Sequence, residues 1–321
     1  MLKSVLRVVR FKNLLIVAAT MYLMRFFIIQ PLLHRKGMDL QLGEWTFLAL
    51  CLATVFITAA GYAINDYFDT KTDLVNRPHT VIVGRDLSHR LVIIIHWILS
   101  ILGIILGFIA SIGVGKPLFT LFFILIVGLL WFYSTLYKRQ FLIGNLIVAA
   151  LTALVPLLAL LAELIRLHVA YWDRIILNNL IFNDVVYWVG GYALFAFLLT
   201  LFREIVKDIE DFQGDIEYGR NTLPVVMGVR KSQIAASGIL LFTIVSLAYL
   251  FGAYLNFLPD GQFDYFTFIY LIAGLIIPIF VLLVKLLFAE DKKHFHAVST
   301  LSKFVMLIGL IYSIFFRFMV A

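Results

Sequence analysis

Two short polar stretches in an otherwise apolar sequence carry three aspartates each, spaced three and then four residues apart. The aspartates that we call the first and the second aspartate motif are, in turn, Asp66, Asp69 and Asp73, and Asp208, Asp211 and Asp215. On a helix, this spacing places the three carboxylates of a motif on one face, where like charges repel. A divalent cation removes the repulsion, and Mg²⁺ binds carboxylate oxygens together with substrate phosphates. The six aspartates are therefore candidate metal and catalytic residues rather than two solvated helix ends.

Basic residues accompany both motifs and could bind phosphate oxygens that the metal leaves uncompensated. These candidate substrate-binding residues are Lys71, Arg77 and Arg85 near the first motif, and Arg203, Lys207 and Arg220 near the second. Because the neighbouring segments are lipid-like, the ligand that suits both environments has a diphosphate head and a long apolar tail. A polyprenyl diphosphate is such a ligand: cations stabilise the departing diphosphate, and an apolar cavity keeps water from the allylic cation.

The composition indicates a protein embedded in the membrane. Of the 321 residues, 63% are hydrophobic and only 14% are charged, and the mean hydropathy is +1.01. A soluble domain of this size does not bury that much apolar surface, so we expect a polytopic integral membrane protein. The single cysteine, Cys51, excludes an intramolecular disulfide framework.

A membrane-spanning helix needs about 20 apolar residues, and the sequence contains nine such stretches. The predicted spans are residues 13–33, 45–65, 90–112, 117–136, 141–165, 185–205, 233–256, 266–289 and 299–319. We therefore predict an all-α fold with about nine transmembrane helices, forming a single domain over residues 1–321. The aspartate motifs end the second and sixth spans, a weak repeat that suggests two halves around a central cavity.

Basic residues are distributed unequally between the two sides of the predicted helices. The loops after odd-numbered spans contain only Arg35, Lys36, Lys116, Arg166 and Arg174, whereas the N-terminal segment and the other loops are rich in Lys and Arg. The positive-inside rule then places the N-terminus and both motifs in the cytoplasm and the C-terminus outside. The net charge of +7 is explained by this placement and does not indicate a nucleic-acid partner. Glu163 lies deep in the fifth span or at its outer end, and it is interpreted as an interfacial rather than a catalytic residue.

The motifs resemble those of the UbiA superfamily of intramembrane prenyltransferases. The matching patterns are Asn65-Asp66-x-x-Asp69-x-x-x-Asp73, then Arg203-Glu204-x-x-Lys207-Asp208-x-x-Asp211-x-x-Gly214-Asp215, and then Gly219-Arg220-Asn221-Thr222-Leu223-Pro224. Weaker similarities are Arg10-x-x-Asn13 at the first span, and Tyr133 with Lys138-Arg139 followed by Gly144-Asn145. The resemblance implies that Mg²⁺, expected as two ions bridging the diphosphate, is bound by both motifs. It further implies that Arg10, Asn13, Asn65, Tyr133 and Lys138 contact substrate.

Two positions depart from the family pattern. An arginine is usual where this sequence has Thr80, so the contact to the diphosphate could pass to Arg77 or Arg85. The family tyrosine usually stands four residues before its lysine, whereas Tyr133 stands five before Lys138 and Tyr137 is adjacent to it.

The resemblance implies a prenyltransferase whose partners are a prenyl diphosphate donor, an apolar or amphipathic acceptor and the lipid bilayer. The acceptor that the pattern favours is geranylgeranylglyceryl phosphate, in lipid synthesis. Aromatic quinone precursors are the alternative within this class of enzyme. A membrane carrier for Mg²⁺ or polyprenyl phosphate is the alternative outside it, although carriers usually place carboxylates near the midplane. A soluble-type prenyl synthase also pairs aspartate motifs, but its helices are not apolar spans.

Overall fold

The computed structural model describes residues 1–178, 181–255 and 261–320. Within these ranges every regular element is a helix, apart from an isolated bridge between Val83 and Leu87. Nine helices in the described part of the chain are long and apolar enough to cross a membrane. The all-α class and the number of spans that the sequence predicts are therefore confirmed.

The helices follow one another along the chain with short connections. The first half contains α1 (Leu2–Val8), α2 (Phe11–Leu23), a π-helical segment (Met24–Ile29), α3 (Gln30–His34), α4 (Glu44–Asn76), α5 (His89–Val114), a 3₁₀ turn (Pro117–Phe119), α6 (Thr120–Thr135), a second 3₁₀ turn (Tyr137–Arg139) and α7 (Ile143–Ala170). The second half contains α8 (Trp172–Asn178), α9 (Asn183–Glu210), α10 (Phe212–Glu217), α11 (Leu223–Met227), α12 (Val229–Leu250), a π-helical segment (Phe251–Leu255), α13 (Tyr265–Ile269), another π-helical segment (Tyr270–Ile276), α14 (Ile277–Leu287) and α15 (Lys292–Val320).

Several helices continue beyond the apolar stretches that predict them. Helix α4 ends at Asn76 and not at residue 65, α9 ends at Glu210 and not at residue 205, and α15 begins at Lys292 and not at residue 299. Helix α4 ends there because Pro78 disfavours helical backbone at the residue before it, and Arg77 adopts φ −147° and ψ 59°. The predicted end of the seventh span, residue 256, lies outside the described residues.

The chain forms two compact units. The first contains Met1–Arg139 and Val155–Tyr187, and the second contains Gln140–Leu154 and the chain from Trp188 onward. The first aspartate motif belongs to the first unit and the second motif to the second unit.

In the first unit, glycines on α5 allow close helix packing. A Cβ added at Gly103 would lie 2.6 Å from the Ile57 side chain of α4, and one added at Gly107 would lie 2.6 Å from the Phe123 ring of α6. Small residues at helix contacts let backbones approach, as is common in membrane proteins. Helix α4, which carries the first motif, is thereby held firmly against α5.

The second unit packs α9, α12, α14 and α15 around a common apolar core. Phe202, Leu240 and Leu282 are fully buried in it. The Gln233 amide on α12 donates to two carbonyl oxygens at the end of α14, Leu286 at 3.0 Å and Ala289 at 2.7 Å. These bonds satisfy carbonyl groups that a helix end otherwise leaves unpaired.

A buried ion pair joins helices of the first unit. The Arg25 guanidinium lies 3.8 Å from the Glu163 carboxylate, and both side chains are 2% exposed. Arg25 donates to the Leu42 carbonyl at 2.6 Å and to Glu44 at 2.8 Å, and Glu163 accepts from the Gln41 and Leu42 amides. The Glu163 carboxylate is thus buried where backbone amides of the loop preceding α4 compensate its charge, and its position at the membrane interface stays a prediction.

Candidate functional site

The first aspartate motif lies on one uninterrupted helix, as its spacing predicts. Asp66, Asp69 and Asp73 all belong to α4, and their three-four spacing keeps them on the same face. Asp69 is buried, whereas the other two are half-buried. Two basic side chains, Arg10 and Lys138, contact this face of α4.

Lys138 is bound at the centre of this motif. Its amino group donates to Asn65 Oδ1 at 2.9 Å and to Asp69 Oδ2. The Asn65 amide also donates to Asp69 Oδ2, at 2.8 Å, so the two residues share the lysine. The 3₁₀ turn Tyr137–Arg139 presents Lys138 to α4, more than 60 residues away in sequence. The structure thus brings together three residues that the resemblance proposes for the site.

Arg10 contacts the same motif from the N-terminal segment. Its guanidinium donates to Asp66 Oδ1 at 2.9 Å and lies 4.7 Å from the centre of the Tyr62 ring. Asn13 donates to the Tyr62 hydroxyl at 3.3 Å. The Arg10 backbone has φ 52°, in the left-handed region that residues with a side chain seldom adopt. Such strain persists where surrounding contacts over-determine the conformation, and the bond to Asp66 is one of these contacts.

The other residues proposed to bind substrate near the first motif are three basic side chains and Tyr133, and they occupy different positions. Arg85 is exposed and donates to the Pro78 carbonyl at 2.9 Å, within its own loop. Lys71 is exposed on α4, and Arg77 is half-buried at the end of that helix. Tyr133 is half-buried on α6. The described contacts therefore link Arg10 and Lys138, and not Arg85, to the carboxylates.

The second aspartate motif is divided between two helices, in contrast to the single helix that its spacing predicts. Asp208 is in α9, Asp215 is in α10, and Asp211 lies between the helices with φ −97° and ψ 8°. Asp and Gly are poor helix formers, and Gly214 follows closely. The Asp211 amide still donates to the Lys207 carbonyl at 2.9 Å, and the Asp215 amide to the Asp211 carbonyl at 3.1 Å, so the interruption is only one residue long.

Each outer aspartate of the second motif has its own polar partners. The Asn145 amide donates to Asp208 at 2.7 Å. Asp215 is buried, lies 3.5 Å from the Arg220 guanidinium and accepts from the Thr222 hydroxyl at 3.1 Å. The chain can return to Asp215 because Gly219 adopts φ 62°. Arg220 thus lies at the motif, as proposed from the sequence.

Arg203 and Lys207 both contact a glutamate, Glu204. Arg203 Nη1 lies 2.9 Å from Glu204 Oε1, and Lys207 Nζ lies 3.1 Å from Glu204 Oε2. The three side chains lie on α9 within two turns and are largely buried. Glu204 belongs to the quoted pattern, but sequence reasoning assigned it no role.

Three further residues of the two sites were missed by sequence reasoning. Tyr62 precedes Asp66 by one helical turn, which is a signal that the i, i+4 relation could have provided. Thr222 and Asn145 were quoted only as part of the family pattern. Asn145 lies 63 residues from Asp208 in the sequence, so their contact leaves no local signal.

The oxygen donors of both motifs suit Mg²⁺, whose preferred ligands are carboxylate and other oxygen atoms. In the described part of the chain, no three acidic, histidine or cysteine side chains converge closely enough to hold a metal ion. A preformed protein cage is not required, because Mg²⁺ is commonly held by one or two carboxylates plus substrate phosphates. The donor chemistry therefore fits a metal that arrives together with a diphosphate.

Known proteins match nearly the whole chain. The sequence profile of the UbiA prenyltransferase family matches residues 12–315. Digeranylgeranylglyceryl phosphate synthase of Methanosphaera stadtmanae is 30% identical over 282 residues, which cover 87% of this chain and 88% of that protein.

Solved structures share the fold. A structure of digeranylgeranylglyceryl phosphate synthase superposes with a TM-score of 0.63 at 22% identity, covering 98% of each chain. The UbiA homologue of Archaeoglobus fulgidus bound to DMAPP and Mg²⁺ superposes with a TM-score of 0.56 at 16% identity, covering 97% of this chain and 99% of the homologue.

Proposed function

This chain belongs to the UbiA prenyltransferase family, and on that premise we propose that it transfers a geranylgeranyl chain from its diphosphate to geranylgeranylglyceryl phosphate. It is a multi-pass membrane enzyme, and the donor and the acceptor are both amphipathic lipids. The similarity to the synthase of Methanosphaera stadtmanae over 87% of the chain supports this acceptor. The observation that carries the proposal is the pairing of carboxylates with cations in both motifs: Arg10 with Asp66, Lys138 with Asp69 and Arg220 with Asp215.

The reaction breaks the bond between the first carbon of the prenyl chain and the diphosphate oxygen, which keeps the electron pair. A lone pair of the acceptor hydroxyl forms the new ether bond, and the hydroxyl proton is released, so the products are the diether, diphosphate and one proton. Arg10, Lys138 and Arg220 are cations that can stabilise the negative charge growing on the diphosphate. The apolar helices exclude water that would otherwise capture the allylic carbon.

The proposed cofactor is Mg²⁺, for which aspartates of both motifs would be ligands. When bound, it supplies positive charge at the departing diphosphate. Asp66, Asp69 and Asp73 in the first unit, and Asp208, Asp211 and Asp215 in the second, are the residues that would hold it. Metal-bound relatives support divalent cations in this fold, and two ions are our proposal for the complete site.

The carrier alternative loses its support because the chain belongs to a family of prenyltransferases. The aromatic alternative remains as the competing outcome of the acceptor test. We also propose the orientation that the basic loops predict, with the N-terminus and both motifs in the cytoplasm and the C-terminus outside.

An acceptor competition tests the proposal. Purified protein receives labelled geranylgeranyl diphosphate, Mg²⁺ and equal amounts of geranylgeranylglyceryl phosphate, hydroxybenzoate and dihydroxynaphthoate, and the lipid products are identified by mass. We expect digeranylgeranylglyceryl phosphate alone, lost in EDTA and restored by added Mg²⁺. The matched negative control is Asp211→Ala. Prenylated aromatics without the glyceryl product would overturn the acceptor assignment.

A further inference from the structure

Three charged side chains on α9 form a compact group that the reaction scheme above does not use. Glu204 is contacted by Arg203 Nη1 at 2.9 Å and by Lys207 Nζ at 3.1 and 3.3 Å. We call Arg203, Glu204 and Lys207 the α9 triad. Their side chains are only 19%, 12% and 24% exposed.

The triad lies in the last two turns of α9. This helix is long and apolar enough to cross a membrane and ends at Glu210. Arg203 precedes Asp208 by five residues, which corresponds to about 7.5 Å along the helix axis at 1.5 Å per residue. Ionisable side chains at such positions are costly and commonly mark substrate pathways. Arg203 lies more than one helical turn before Asp208, and a largely buried cation at this position indicates a second anionic group, whereas Lys207 immediately precedes the aspartate.

One donor of the triad is still unsatisfied. Arg203 Nε is buried and has no hydrogen-bond partner among the described residues. A buried donor without a partner loses its hydration without compensation. The planar guanidinium binds phosphate through two parallel N–H groups. Since Nη1 is engaged by Glu204, the Nε edge is the part of Arg203 that we infer would bind a phosphate.

The chemistry of the proposed reaction identifies this phosphate, and the inference rests on that proposed function. The two substrates carry two phosphate-bearing groups: the diphosphate of the donor and the phosphomonoester of the acceptor. The acceptor hydroxyl must approach the reacting carbon to about 3 Å from the side opposite the departing oxygen. The phosphomonoester on the same glycerol is then displaced from the diphosphate by several bond lengths, comparable with the offset of Arg203 from Asp208.

We propose that Arg203 and Lys207, ordered by Glu204, bind the phosphate of the acceptor lipid. The α9 triad then determines specificity, because it favours a phosphorylated glycerol lipid over an uncharged acceptor. Arg203 and Lys207 contact the substrate directly. Glu204 acts through them as a positioning residue that holds both cations on one face of α9.

The test compares two acceptors with full-length enzyme: geranylgeranylglyceryl phosphate and the same lipid without its phosphate, geranylgeranylglycerol. Arg203→Gln and Lys207→Gln should each raise the KM for the phosphorylated acceptor by about 10- to 100-fold, the effect of losing one charge-assisted hydrogen bond. The KM for the donor diphosphate and turnover of the uncharged acceptor should not change. Glu204→Gln should raise the same KM by less and leave kcat unaltered.

Lys285→Gln is the matched control, because it removes one exposed cation from the same unit and should change none of these constants. Lys207→Gln keeps the Arg203–Glu204 pair, so this variant is expected to fold even if Arg203→Gln does not; thermal unfolding in detergent establishes which variants are folded.

An increase in the donor KM with an unchanged acceptor KM would assign the triad to the diphosphate. An equal loss with both acceptors would make its role structural. Either result, obtained with an unaltered enzyme that makes the glyceryl product, overturns the inference. If the unaltered enzyme does not make that product, the proposed function itself is refuted.

Discussion

Lys138 connects two residues of the first motif, since it donates to both Asn65 and Asp69. Lys138→Gln should lower kcat/KM for the donor by about 100-fold, the usual cost of deleting one electrostatic contact to a developing charge. The matched control is Arg139→Gln, which removes an exposed neighbouring charge and should keep activity within a small factor. Initial rates at varied donor concentration measure the effect. Equal losses in the two variants would show that only the local surface charge matters.

Asn145 has a different role, because it contacts a proposed metal ligand, Asp208. Its amide fixes the Asp208 carboxylate at 2.7 Å. Partners of this kind typically alter metal affinity by 10- to 100-fold, so Asn145→Ala should shift the Mg²⁺ dependence of the rate to concentrations about tenfold higher. The control is Gln140→Ala, an exposed amide in the same unit. An unchanged Mg²⁺ curve together with a reduced maximal rate would contradict this role.

Residue types and spacing predict the carboxylates well and their partners poorly. The three-four spacing of Asp66, Asp69 and Asp73 is a local property, and α4 realises it. Arg10 is 56 residues from Asp66 in the sequence, and Lys138 is 69 residues from Asp69. These contacts therefore depend on tertiary packing, and only the family resemblance suggested them. The buried pair of Arg25 and Glu163 could not be predicted in this way, because neither local sequence indicates the other residue as a partner.

At the scale of elements, hydropathy locates the helices but not their ends. The second span continues to Asn76 because helix termination is determined by Pro78, not by the last apolar residue. The opposite occurs at the second motif, where the helix is interrupted at Asp211 although the carboxylate spacing suits one continuous helix. The apolar pattern alone does not indicate π-helical segments such as Met24–Ile29.

The packing of α5 against α6 can be tested with one methyl group. A Cβ at Gly107 would lie 2.6 Å from the buried Phe123 ring, and overpacking of this kind costs about 1–3 kcal/mol. Gly107→Ala should therefore lower the apparent Tm in detergent. Gly128→Ala on α6, where a Cβ meets nothing within 4 Å, should raise it slightly, since alanine favours helix by about 0.5–1 kcal/mol. A higher Tm for both variants would refute this account of the packing.

At the scale of the whole molecule, the first question is which side of the membrane each motif faces. In a Cys51→Ala background, cysteines replacing Lys71 and Gln213 should both react with an impermeant thiol reagent from the cytoplasmic side only. Both positions are exposed and adjoin a motif. A cysteine replacing Gln262, which follows the seventh span, should react only from outside. Labelling of the two motif positions from opposite sides would separate the motifs and exclude one shared reaction.

The second question is whether both motifs serve one chemical step. Each lies in its own compact unit, and a carrier could use them as separate sites. Departure of a diphosphate instead requires positive charge on several of its oxygens at once, which we propose the two motifs supply jointly. Asp73→Asn and Asp215→Asn should then each lower kcat/KM by about 100-fold, or roughly 3 kcal/mol.

A double-mutant cycle distinguishes the two cases. If the motifs act on one diphosphate, the double variant Asp73→Asn/Asp215→Asn should lose far less than the product of the single losses, because either change already disables the unit. Asp86→Asn combined with Asp215→Asn is the control pair, since Asp86 is exposed and pairs with Arg7; its effects should be additive. The measured quantity is kcat/KM for diphosphate release with the acceptor present. Strict additivity for the Asp73 and Asp215 pair would mean that the two motifs act in separate steps, and the shared role in breaking the carbon–oxygen bond would have to be abandoned.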